Sequence, residues 1–143
     1  MFTVFIVLYS PMDPVVLAVI EDVDAPAHGV YRRLDQTLKD AGLTSADVSV
    51  VITSRAWTKG QTCLQWAAIH EILFDPLPYT GRDVPPEQLD TDEIYAINLS
   101  ILKRATHVTV IGDLTTPILK DALDTAHGQR EKGKSLWIGQ YMV

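Results

Sequence analysis

Cysteine is almost missing from this 143-residue chain. Cys63 stands alone, which rules out an internal disulfide and a cysteine-based structural zinc site. A single thiol fits a reducing compartment. No Lys or Arg occurs before Arg32, so the basic n-region of a secretory signal is absent. Two apolar runs, Met1–Leu8 and Val15–Ile20, are split by Pro11, Asp13 and Pro14. Neither approaches the ~20 residues that cross a bilayer. Both read as buried elements of a cytoplasmic domain with no membrane partner.

Familiar site signatures are also missing. There is no GxGxxG, no GxxxxGK[ST] and no GxSxG elbow. His70-Glu71 is followed by Ile72-Leu73-Phe74 rather than by the rest of HExxH, and the four histidines share no ligand spacing. No metal and no cofactor are expected. Positive charge is scarce: the net charge is −6, and basic residues gather only at Arg32–Arg33, Lys103–Arg104 and Arg130–Lys134. Each cluster falls on or just after a helix and reads as solvated surface. A polynucleotide partner is disfavoured, because phosphate neutralisation needs a basic face.

What is present has the pattern of a globular α/β protein. The apolar share is 47% and the charged share 21%, near globular averages, and the length suits a single domain over 1–143. Phe2–Tyr9 is a continuous β-rich run suited to a strand buried on both faces. Val15–Ile20 suits either the second strand of a hairpin or the first turns of a helix, with the strand favoured. Asp24-Ala25-Pro26 reads as a helix start, Val30, Leu34, Leu38 and Ala41 recur at helical spacing, and Gly42 is placed to stop the helix.

Val48–Ile52 reads as a strand and Gln61–Phe74 as a helix. Asp75–Pro86, with four prolines, reads as a surface loop. Glu87–Arg104 is helical in period, and His107–Ile111 is a short strand closed by Gly112-Asp113. Pro117–Gln129 is a helix capped by Thr115 or Thr116, and Leu136–Ile138 is the last strand.

Strands alternating with helices imply an open, mainly parallel sheet of Rossmann or flavodoxin type, with helices on both faces. Ligands bind such sheets beyond the carboxyl ends of the strands. On this reading that edge holds Tyr9–Asp13, Thr53–Trp57 and Gly112–Thr116. Thr115, Thr116 and the first-turn amides after Gly112 suit a small anion, or simply cap a helix. The carboxylates Asp90, Asp92, Glu93, Asp113, Asp121 and Asp124 either complement helix dipoles or supply the paired groups of glycosidic cleavage. Tyr9 and Trp57, both at strand ends, suit stacking on a base or packing in a rim.

The segment Pro86–Ile138 resembles the nucleoside 2-deoxyribosyltransferase superfamily. Asp92 and Asn98 fall where that family carries a helix Asp and Asn, and "KRATHVTVIGD" is similar to its "xxADxVVAxxD" stretch. "EKGKSLWIG" is similar to "ALGKPVIxL", and "VFIVLYSPMD" to the first strand and "YxAGPxF" turn. The likeness covers about half the chain.

"TTPILKDALDTA" departs from the family's "SGTxxEIGYA", so the catalytic glutamate is matched by Asp121, and Pro117 replaces the neighbourhood of a flexible glycine. The resemblance implies Asp121 as nucleophile, Asp92 orienting the sugar and Tyr9 holding the nucleophile. It implies Ser10, Pro11, Asn98, Gly112, Asp113, Thr115 and Thr116 around a small nucleoside or nucleotide. It also implies a homo-oligomer. Three functions follow as expectations: an N-glycosidase or deoxyribosyltransferase, a non-catalytic nucleotide-binding module of the same fold, or an interaction domain using Asp75–Pro86.

Overall fold

The computed structural model describes residues 14–22, 25–53, 60–76 and 90–143. Among the described residues five strands form one all-parallel sheet: β1 (Val15–Glu21), β2 (Val48–Thr53), β3 (Leu73–Pro76), β4 (His107–Ile111) and β5 (Trp137–Tyr141). Helices α1 (Ala27–Ala41), α2 (Gly60–Ile69), α3 (Thr91–Arg104) and α4 (Pro117–Glu131) alternate with them. The strand order is β3-β2-β1-β4-β5, the order of a doubly wound Rossmann-type sheet.

Side-chain alternation explains the two layers. Along β1, Leu17 and Val19 point to a core shared with α1 and α2, where Val30, Leu34, Cys63 and Trp66 are buried. Ala18 and Ile20 point the other way, to Ile97, Ile101 and Leu102 of α3 and Leu119, Ala122 and Ala126 of α4. Successive residues of a strand face opposite sides, so a strand covered on both faces must be apolar throughout. Val15–Ile20 meets that demand. It is the central strand, hydrogen-bonded in parallel to β2 and β4, and neither a hairpin strand nor a helix start.

Local chemistry sets most helix limits. Gly42 takes φ 72°, and its amide closes on the carbonyls of Leu38 and Lys39, a left-handed stop that glycine adopts without strain. Asp90 caps α3: its carboxylate accepts from the Glu93 amide at 2.8 Å, and Glu93 Oε1 accepts from the Asp90 amide at 3.4 Å. Pro117 opens α4, where its missing N–H costs nothing. Pro26, not Asp24, is the residue before α1; Asp24 lies outside the described residues.

The helix expected over Gln61–Phe74 is two elements. Glu71 turns left-handed at φ 57°, with the Ile72 amide on the Ala67 carbonyl at 2.8 Å and the Glu71 amide on the Ala68 carbonyl at 3.1 Å. Those paired bonds end the helix without a glycine, so no punctuation marks the stop in the sequence. Leu73–Pro76 then joins β2 as an edge strand, where a proline is tolerated. The expected first strand Phe2–Tyr9 and most of the proline-rich loop lie outside the described residues.

Candidate functional site

Strand order decides where a ligand crevice lies. After β1 the chain winds outward through β2 and β3, then returns to the opposite side of β1 as β4 and β5. Connections from the adjacent β1 and β4 therefore leave toward opposite faces, and the gap beyond their carboxyl ends is the switch point of such sheets. Glu21 and Asp22 end β1 there, and Gly112 and Asp113 end β4.

The two strand ends are laced together. The Asp22 amide donates to the Ile111 carbonyl at 2.9 Å, and the Asp113 amide reaches Asp22 Oδ2 at 3.4 Å. Gly112 donates to the Tyr141 carbonyl at 2.9 Å and adopts φ 141°. A Cβ at Gly112 would stand 2.4 Å from Asp22 Cβ and 3.1 Å from Leu119 Cδ1. Only glycine lets the β4 end lie this close to β1.

Asp113 is held by its own turn. Its Oδ1 accepts from the Thr115 hydroxyl at 2.6 Å and from the Thr115 amide at 3.0 Å, while Thr116 Oγ1 donates to the Asp113 carbonyl at 3.0 Å. The two Thr115 bonds, the hydroxyl first, hold the Asp113 carboxyl below its ordinary range. Asp113 is therefore a fixed carboxylate at neutral pH, suited to accept hydrogen bonds and unsuited to give up a proton. Thr115 and Thr116 both serve this turn before α4.

Glu21 is 2% exposed at the end of the central strand, on the α1/α2 side. Burial pushes the Cys63 thiol well up, and the Glu21 carboxylate adds to that, so Cys63 is a closed thiol rather than a nucleophile.

Other residues singled out from the sequence do not join this turn. Asp92 is exposed in the first turn of α3, where it complements the helix dipole beside the Asp90 cap. Asp121 is half-buried in the second turn of α4. Asn98 is 2% exposed, closed to solvent within α3. The structure thus brings Gly112, Asp113, Thr115 and Thr116 into one turn. Tyr9, Ser10 and Pro11 lie outside the described residues. Glu21 and Asp22 were missed by pattern reading: an apolar strand running straight into two acids was their only signal.

A second feature borders this crevice. The residues after β5 run along the edge, with the Val143 amide donating to the Gly112 carbonyl at 3.3 Å. Val143 also packs on Gly29 in the first turn of α1, where an added Cβ would lie 2.5 Å from its Cγ1. Beside it is a cleft of about 230 Å³ bounded by Pro26, His28, Gly29, Arg32, Arg33 and Met142.

Larger openings of about 290 and 410 Å³ flank Pro14 at the amino edge, away from the strand ends where such sheets hold ligands. One of them carries His107, whose Nδ1 lies 2.8 Å from the Thr106 hydroxyl and whose ring faces Trp137 at 6.1 Å. Among the described residues no group of His, Cys, Asp and Glu is arranged to hold a metal ion, and no helix is long and apolar enough to cross a membrane. A scan against protein-family models matched none, and a search of curated proteins found no match.

Proposed function

We propose that the chain binds a nucleoside or nucleotide at the β1/β4 switch point, as a binding module rather than a turnover enzyme. The observation that carries this is the convergence of Asp22, Gly112 and Asp113 where the strand order reverses. Two carboxylates at adjoining strand ends suit the hydroxyls of a sugar, which donate to carboxylates, while Gly112 lets the two ends lie close enough to bring them together. The partial likeness of Pro86–Ile138 to nucleoside 2-deoxyribosyltransferases points to the same ligand class. On that reading the chain acts in the cytoplasm and assembles as a homo-oligomer.

Glycosidic cleavage is the second reading, favoured by Asp121 standing half-buried one turn inside α4 at the same edge. It needs a second carboxyl able to act as acid. Asp113, an exposed carboxylate already engaged by Thr115, does not fill that part.

One panel separates the two readings. Purified protein, Asp22→Asn and Asp121→Ala are melted against nucleosides and deoxynucleoside monophosphates, and the mixtures are chromatographed for free base. Thermal stabilisation of the wild type that is lost in Asp22→Asn, with no base released, is the expected result. Stabilisation by no member of the panel would overturn the binding reading. Base release abolished by Asp121→Ala would replace it with a hydrolase or transferase.

A further inference from the structure

We infer that the cleft between α1 and the residues after β5 is a phosphoryl subsite, so that the ligand of the switch point is a nucleotide rather than a nucleoside. This rests on the nucleoside-binding reading and adds a requirement to it. Among the described residues the cleft is lined by His28 and by two arginines, Arg32 and Arg33, and by no Asp or Glu side chain. That is unusual in a chain of net charge −6. Neither arginine meets a carboxylate among the described residues; the ion pairs there join His70 to Asp35 and Arg104 to Asp75.

Arg33 lies over Tyr141. Its guanidinium carbon lies 5.8 Å from the centroid of the Tyr141 ring, and the Tyr141 hydroxyl is fixed by a 2.6 Å bond to Asp40. A guanidinium already set against a ring face loses less freedom when it takes an anion, and its planar fork matches phosphate oxygens. The start of α1 adds to this: Pro26 provides no side-chain cap, and no acidic residue occupies the first turn.

Size points to one end of a ligand. About 230 Å³ is below the roughly 300–1,000 Å³ of pockets that enclose a whole drug-sized molecule. Position points to the nucleotide's phosphate. Val143 touches the Gly112 carbonyl on one side and Gly29 on the other, so a single residue separates the carboxylate rim from the cationic cleft. Sugar hydroxyls at the acidic rim and a phosphoryl group at the basic cleft divide a nucleoside monophosphate by charge.

The test is calorimetric titration of inorganic phosphate, pyrophosphate, and a set of nucleosides with their 5′-monophosphates. It is run on the wild type, on Arg32→Gln/Arg33→Gln and on Lys39→Gln, a charge control at the far end of the same helix. The monophosphate should bind more tightly than its nucleoside. The double variant should weaken it roughly tenfold or more, the scale of lost hydrogen bonds to a charged group, with Lys39→Gln unchanged. Circular dichroism melts of each variant separate loss of binding from loss of fold.

Equal binding of nucleoside and monophosphate, unchanged in the double variant, would overturn the phosphoryl subsite and leave the nucleoside reading standing. Phosphate or pyrophosphate binding that the double variant abolishes, with no nucleoside bound, would keep the cationic subsite and remove the nucleoside. A loss of equal size in Lys39→Gln would reduce the effect to bulk charge and overturn the proposal.

Discussion

The two faces of the sheet are built by different means. Under α3 and α4 the core is aliphatic, with Ala105, Ala122 and Ala126 letting the helices approach and Ile20, Ile101, Leu102 and Leu119 filling the space. Under α1 and α2 the core is tied by polar side chains as well. Thr37 and Thr109, both fully buried, join hydroxyl to hydroxyl at 2.8 Å, and Thr37 also donates to the Arg33 carbonyl at 2.7 Å. Trp66 donates from its ring nitrogen to Asp35 at 2.8 Å, and Tyr141 binds Asp40. Area burial is non-directional, whereas hydrogen bonds fix orientation. The difference adds positioning on one face, and that face is the one that carries Arg33 and the cleft.

The largest effect expected is on the aliphatic face. Ile101→Ala removes a fully buried side chain from the α3 interface and should cost about 2–5 kcal/mol, read from urea unfolding. A loss well under that range would mean that the face collapses around the gap and is less closely packed than its burial indicates.

A smaller but more specific effect is expected across the sheet. Thr37→Val leaves the buried Thr109 hydroxyl without its partner, which should cost about 1–3 kcal/mol. Adding Thr109→Val should recover part of that loss, because the orphaned group is then gone. Strict additivity of the two changes would show that this bond orders nothing, and would erase the contrast between the faces.

The smallest effect is expected at the rim. Burial, and then the Asp40 carboxylate, push the Tyr141 hydroxyl up to about 12, while the Tyr141 bond holds Asp40 below its ordinary range. Tyr141 is raised in the folded state, so its contribution is complete below about pH 10 and fades as pH climbs through about 12. Asp40 is lowered, so its contribution is present above about pH 4 and fades as pH falls through its folded value. The stability difference between wild type and Tyr141→Phe should thus be level between those limits and shrink beyond both, as read from urea midpoints across pH. A difference that does not change with pH would mean the hydroxyl and carboxylate are not coupled.

Much of the fold was legible because its signals are local. Gly42 stops α1 by the one conformation glycine favours, Pro117 opens α4, and the β-branched run His107–Ile111 is β4 to the residue. β3 was hidden, since four residues leave no room for a period and Glu71, a non-glycine, makes the turn before it. The site was legible only in its local half. Gly112, Asp113, Thr115 and Thr116 sit together because they are neighbours in sequence and form one hydrogen-bonded turn. Asp22 joins them from 91 positions away, through strand pairing that no spacing announces.

Arg32–Arg33 shows the same limit from the other side. As a pair on a helix they read as solvated surface, and only the return of β5 past α1 puts Tyr141 under Arg33 and closes a cleft beside them. By itself the sequence determined the alternation of strands and helices, the helix stops and starts, and the apolar runs that demand cover on both faces. These depend on each residue's conformational preference and on periodicity within one element. Tertiary structure alone decided the order 3-2-1-4-5, and with it which strand ends adjoin. That order is set by burying the two apolar faces of β1 at once, a requirement shared among residues far apart in the chain.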